Sequence, residues 1–234
     1  MNQLLTTLFA LSVACATSLA QAQTAPAAPA AAPAKTAAPA SPKSLEAKVA
    51  MCVGCHGIVG YKASFPEVYR VPKIAGQGAK YIAAALNAYK TGERKHPTMR
   101  SIAESLSEQD IADISGYYEN LGKAERKAVA EKPNREPDAK VAGLLQKAAC
   151  ASCHGANFSK PIDPSYPKIA GQHSDYLFVA LKSYKAEGAA SHGRNNGIMG
   201  AIAKQYSNDE LKAISKYVGS LDGEVLTKPE PRFR

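Results

Sequence analysis

The sequence predicts an all-α protein made of two similar lobes, and three observations carry that prediction. The second half of the chain repeats the first, apolar residues recur at three- and four-residue steps in both halves, and no stretch alternates as a half-buried strand would. At 234 residues the chain is long for one minimal domain and suits two small ones.

Residues 1–22 carry no charged side chain, hold an apolar run from Leu4 to Ala14, and offer Ser18-Leu19-Ala20 and Ala20-Gln21-Ala22 as cleavage sites. They are expected to be a secretory signal peptide, the run being short of the roughly 20 apolar residues that a membrane span needs. No Lys or Arg precedes the run, which departs from the usual pattern and leaves retention as an anchor as the alternative. Cys15 has Ser12 where a lipid-modified cysteine wants an aliphatic residue, and it reads as a small apolar residue of this segment. Residues 23–43 are almost entirely Ala and Pro from Thr24 to Pro42. The prolines deny a regular helix and nothing there can pack, so the segment is expected to be a disordered tether.

In lobe one, residues 44–122, Ser44 is placed to cap a helix that runs into the Cys52-Val53-Gly54-Cys55-His56 motif. The Ala- and Leu-rich stretch from Tyr81 to Lys90 makes a second helix, with Gly92 as its stop. Ser107 followed by Asp110 opens a third, whose apolar stripe is Ile111, Ile114, Tyr117 and Leu121. Residues 123–137 are charged, contain Pro133 and Pro137 and lack periodicity, which marks a linker. Lobe two, residues 138–234, runs through the same series: Asp138 as cap, Tyr176 to Lys185 with Gly188 as stop, then Ser207 and Glu210 before Leu211, Ile214, Tyr217 and Leu221.

The repeat is sharpest at its motifs. Cys52-Val53-Gly54-Cys55-His56-Gly57 returns as Cys150-Ala151-Ser152-Cys153-His154-Gly155, and Pro72-Lys73-Ile74-Ala75-Gly76-Gln77 returns unchanged in type as Pro167-Lys168-Ile169-Ala170-Gly171-Gln172. Met99 and Met199 answer each other, and Ile102-Ala103 answers Ile202-Ala203. Insertions fall between these blocks and spare them.

Two Cys-x-x-Cys pairs admit zinc, a redox dithiol or haem attachment, and the histidine after each decides among them. In Cys-x-x-Cys-His both thiols add across the vinyl groups of a haem while the next imidazole is carried under the iron, so one turn of chain makes covalent and metal bonds together. Pooling Cys52, Cys55, Cys150 and Cys153 on zinc would leave His56 and His154 unexplained in identical positions. A redox dithiol expects an α/β setting that this helical sequence does not supply. Two covalent haem c groups are therefore expected, each supplying much of its lobe's core in a chain with no Trp and 5 Phe.

Met99 and Met199 are the only methionines after the attachment motifs and are the expected sixth ligands, because core filler would not be placed symmetrically. His96 and His192 are the competing ligands, but their spacing to the methionines differs between lobes. His173 faces Gly78 in the repeat and is assigned no function.

The two Cys-x-x-Cys-His motifs, the Pro-Lys-Ile-Ala-Gly-Gln blocks and the two late methionines together resemble the cytochrome c4 family, dihaem class I cytochromes c, over nearly all of residues 44–221. The resemblance implies two tandem class I cytochrome c-like domains and a periplasmic location. It also places on Pro72 and Pro167 the backbone carbonyls that orient the two histidines. It suggests a bc1-type complex as electron donor and a haem-copper terminal oxidase as acceptor.

The formal charge of +9 is divided evenly, +4 over residues 41–137 and +4 over 138–234. No dense basic stripe with interleaved aromatics appears, so nucleic acid is not an expected partner. Membrane respiratory complexes or other redox proteins with acidic docking surfaces are, with loose membrane association through the N-terminal segment and a monomeric state. Met/His ligation closes both axial positions, which predicts an electron carrier with no catalytic residues. The alternative is the haem subunit of a periplasmic dehydrogenase or a dihaem redox enzyme, which would want a displaceable ligand and nearby acid or base groups.

Overall fold

The structure is a computed structural model that describes residues 44–126, 128–186 and 188–230. The expected signal peptide and tether, with Cys15, lie outside the described residues. Residues 41–234 cluster as one compact unit.

Lobe one is built from α1 (Leu45–His56), α2 (Ala79–Thr91), α3 (Pro97–Glu104) and α4 (Glu108–Asn120). Lobe two is built from α5 (Ala139–Lys147), α6 (Cys150–His154), α7 (Ser174–Ser183), α8 (Gly197–Ala203) and α9 (Asn208–Ser220). The caps fall where the sequence puts them. Ser44 accepts from Ala47 N–H at 3.3 Å and Asp138 from Val141 N–H at 2.8 Å. Ser107 with Asp110, and Ser207 with Glu210, form reciprocal capping boxes that satisfy the first free N–H groups of α4 and α9. Gly92 ends α2 in the left-handed conformation at φ 83°. Its counterpart behaves differently, since α7 stops at Ser183 and Gly188 does not cap it.

The apolar stripes pack as the periodicity predicts. Ile111 and Ile114 of α4 meet Val49 of α1 and Ile82 and Leu86 of α2. Leu211, Ile214 and Val218 of α9 meet Leu144 of α5 and Leu177 of α7. Ile111, Leu211 and Val218 are almost fully buried, each worth about 1.5–3 kcal/mol of transfer free energy.

Three features were not legible in the pattern. The helix into the second cysteine pair breaks at Ala149, whose φ of 48° separates α5 from α6, whereas α1 runs unbroken. Four two-residue strands occur among the described residues: β1 (Lys62–Ala63) pairs with β2 (Tyr69–Arg70), and β3 (Arg94–Lys95) pairs with β4 (Gly193–Arg194) across the two lobes. Strands this short cannot show alternation. Finally, residues 130–135 and the described part of the C-terminal tail are bound to the lobes. Ala130 O accepts from Asn157, Arg135 O from Tyr217, and Asn134 from the Asp222 N–H. The tail crosses to lobe one, where Leu226 N–H donates to Ala75 O at 2.8 Å and Val225 is 2% exposed.

The Pro-Lys-Ile-Ala-Gly-Gln blocks face each other at the seam. Gln77 donates to Lys168 O at 2.9 Å and accepts from Lys168 N–H at 3.0 Å, while Gln172 does the same to Lys73 at 2.8 and 3.0 Å. Lys73 Nζ reaches Gly171 O and Lys168 Nζ reaches Gly76 O. Gly76 and Gly171 hold φ of 84° and 70°, and a Cβ on Gly76 would lie 2.3 Å from Glu224 O. These glycines let the chain turn against the end of α4 or α9 and point the next glutamine across the seam.

Candidate functional site

One cavity of about 900 Å³ runs through both lobes and is lined by both Cys-x-x-Cys-His motifs and both methionines. The helix turns of α1 and α6 put Cys52, Cys55 and His56, and Cys150, Cys153 and His154, on its wall. Among the described residues the four cysteines form no disulfide with one another.

His56 Nδ1 lies 2.8 Å from Pro72 O, and His154 Nδ1 lies 2.9 Å from Pro167 O. A carbonyl can only accept, so Nδ1 carries the hydrogen in both rings, and Nε2 is the nitrogen available to a metal. Burial pushes both imidazoles below the usual histidine range, with the carbonyl bonds opposing it, which keeps them neutral as a metal ligand must be. Burial also pushes the Cys52 and Cys150 thiols up to about 11. Among the described residues no cluster of three His, Cys, Asp or Glu side chains is placed to hold a metal ion.

Met99 and Met199 lie on short helices, α3 and α8, that open against the same cavity. The cap before each explains the histidine that sequence spacing left in competition. His96 is the N-cap of α3, and its Nδ1 accepts from Met99 N–H at 3.3 Å. Asn196 fills the same position in lobe two and accepts from Met199 N–H at 2.9 Å. The repeat partner of His96 is thus Asn196, and His192 belongs to the loop before it. The His96 Nε2–H then donates to Tyr69 Oη at 3.0 Å, so both of its ring nitrogens are engaged within the protein. His173 sits at the N-terminus of α7, as Gly78 does for α2.

Sequence reasoning missed a second matched set on this wall. Arg94 donates to Tyr81 Oη and Arg194 to Tyr176 Oη, each at 3.1 Å, and the guanidiniums lie over the Tyr89 and Tyr184 rings. The available signal was register, since Arg94 and Arg194 stand at equal distances before Met99 and Met199.

The residues present fit a haem. Each lobe offers two thiols, a neutral imidazole oriented by a carbonyl, and a thioether on an apolar cavity whose wall includes Ile74, Ile82 and Leu86 in one lobe and Ile169 and Leu177 in the other. The cytochrome c family model matches residues 46–130 and 139–222, once per lobe. Cytochrome c4 of Azotobacter vinelandii is 31% identical over 189 residues, spanning 75% of this chain and 87% of the relative. The chain belongs to the cytochrome c4 family.

As a cytochrome c4-family protein it has two tandem cytochrome c domains and two covalent haem c groups, and it transfers electrons. Reduced recombinant cytochrome c4 from Pseudomonas stutzeri superposes with a TM-score of 0.55, at 28% identity over 76% of this chain and 96% of that one. A relative named thiosulfate dehydrogenase electron acceptor, from Stutzerimonas stutzeri, is 28% identical over 177 residues, 73% of this chain and 78% of its own. Among the described residues no helix is long and apolar enough to cross a membrane.

Proposed function

We propose that this cytochrome shuttles electrons between redox proteins outside the cytoplasm through two haems that are closed on both faces. Cys52 and Cys55 hold one haem and Cys150 and Cys153 the other through thioether bonds. His56 with Met99, and His154 with Met199, are the axial pairs, and the Pro72 and Pro167 carbonyls fix the histidine rings. The haem supplies one-electron iron chemistry, while the chain sets its ligands, excludes water and provides an apolar surround. The observation that carries the reading is the presence of both methionines on the cavity wall that holds the histidines. A thioether sixth ligand leaves no place for a substrate to meet iron, which favours a carrier over an enzyme.

A bc1-type complex as donor and a haem-copper oxidase as acceptor suit a carrier of this design, with the N-terminal segment as export signal and the periplasm as its place. A second reading is favoured by the relative named as a thiosulfate dehydrogenase electron acceptor: this chain would take electrons from such an enzyme and pass them on. Both readings share the closed haems.

The oxidised protein should show a sulfur-to-iron charge-transfer band, and the reduced protein should not bind carbon monoxide. Met99→Ala and Met199→Ala should each open one haem to carbon monoxide and remove about half of the band. Ready binding by the unsubstituted protein rules out the closed site.

A further inference from the structure

One buried hydroxyl in the cavity has no counterpart across the repeat. Tyr118 of α4 is 3% exposed and lines the cavity. Its hydroxyl oxygen is closed to water and has no nitrogen or oxygen partner among the described residues. A buried hydroxyl without a partner is costly, and a phenylalanine ring would fill the same place without that cost. The polar side chain that reaches it is Cys52, which packs against the same apolar cluster. Sulfur and hydroxyl bias each other's ionisation, as groups within hydrogen-bond reach do.

Lobe two is built differently at both positions concerned. The capping boxes align α4 with α9, so Ser115 answers Ser215 and Tyr117 answers Tyr217. Tyr118 then answers Val218, which is buried and lines the cavity in its place. The buried tyrosine of lobe two is Tyr206, standing where lobe one has Leu106, and both of these line the cavity. Tyr206 feels the Cys150 sulfur as Tyr118 feels that of Cys52. The two hydroxyls are nevertheless used differently. Tyr206 Oη–H donates to Leu144 O at 3.3 Å, which commits its hydrogen to the backbone. The Tyr118 hydrogen is left for sulfur.

We propose that the Tyr118 hydroxyl donates to the Cys52 thioether sulfur of the haem in lobe one and raises the reduction potential of that haem alone. This deepens the dihaem carrier reading above and rests on it. Once Cys52 is joined to the haem its sulfur has no hydrogen and can only accept, so the pair holds one donor and one acceptor. The positive end of the O–H dipole then lies at the edge of the macrocycle. It disfavours the extra positive charge of the oxidised iron, in surroundings too apolar to screen it. Tyr206 directs its positive end to Leu144 O, so the second haem lacks this effect. Two haems with the same ligands are made unequal by the placing of one hydroxyl.

The test is spectroelectrochemical titration of the holoprotein, comparing the unsubstituted chain with Tyr118→Phe, with resonance Raman on the same samples. Tyr118→Phe keeps the ring and removes the hydroxyl. One reduction wave is expected to move to lower potential while the other stays, and the carbon–sulfur stretching band of one thioether should shift. Waves and band left unmoved overturn the hydrogen bond, and movement of both waves overturns its confinement to lobe one. Tyr206→Phe is the comparison, since it removes a buried hydroxyl whose hydrogen is held by Leu144 O. An equal downward shift from Tyr206→Phe would assign the effect to the loss of any buried hydroxyl and reject the proposal. If Tyr118→Phe does not mature with two haems, the unsubstituted protein in heavy water decides. Deuteration of the hydroxyl should then shift a thioether carbon–sulfur band, and an unshifted band rejects the bond. Failure of the dihaem carrier reading looks different, since the unsubstituted protein would bind carbon monoxide or lack two one-electron waves.

Discussion

His96 shows how one side chain can make two similar haem sites unequal. It holds α3 at the N-cap by accepting from Met99 N–H, the position that Asn196 takes before Met199. An N-cap contributes about 1 kcal/mol to its helix, and here the helix carries the sulfur. With Met99 as the proposed sixth ligand, His96→Ala is expected to weaken its bond to iron, read as a partial loss of the charge-transfer band and slow carbon monoxide binding at one haem. His96→Asn should restore both, because asparagine already does this in lobe two. Equal loss in both variants would place the effect in the Tyr69 contact instead. The spacing of His96 was legible in the sequence, but its role was not. A cap and a ligand three residues from a methionine look alike until the ring nitrogen is seen facing an N–H group.

At the level of elements, the helices follow from local chemistry while their clamps do not. Lys48 of α1 pairs with Asp110 and Asp113 of α4, at 2.9 Å to Asp110, and lobe one has this clamp between its first and last helices. Hydrogen bonds from Lys48 hold both carboxyls below the usual carboxylate range, with Ser107 adding to the shift at Asp110 and Gln109 at Asp113. Folded carboxyl values below the unfolded ones mean that this stabilisation is present above the ordinary carboxylate range, near pH 4, and fades as pH falls through the folded values. Lobe one should thus lose stability on acidification below about pH 4, and Lys48→Met should flatten that dependence in acid titrations followed by the haem spectrum. An unchanged acid profile would remove the clamp from the account. The cap residues were readable because a cap and its N–H groups lie within one turn of chain. The clamp joins residues far apart in sequence, and the Ala149 break depends on a backbone angle that alanine rarely adopts, so neither leaves a local sign.

For the whole molecule, the decisive contact is the exchange of glutamines between the repeated blocks. Gln77 is 3% exposed and Gln172 is 4% exposed, and each satisfies both backbone groups of the opposite lysine. Gln77→Ala leaves a half-buried N–H and carbonyl of Lys168 without their side-chain partner, a loss of about 1 kcal/mol or more. Thermal unfolding of the holoprotein should show it, and Gln172→Ala should match it within error if the seam is symmetric. Gly76→Ala should be at least as damaging, since its Cβ would meet the C-terminal tail and its φ disfavours a side chain. The repeated hexapeptides were obvious in the sequence, but their facing each other was not.

The sequence by itself determined the helical class, the doubling, the two haem attachment motifs and the caps, because each is written within a few adjacent residues or recurs in register. Only the tertiary structure decided that His96 serves α3, that the tail is fastened to lobe one, and that Arg94 and Arg194 are set side by side. Those outcomes depend on which surfaces close against each other over separations of tens of residues, and one chain read alone records the side chains but not the faces they meet.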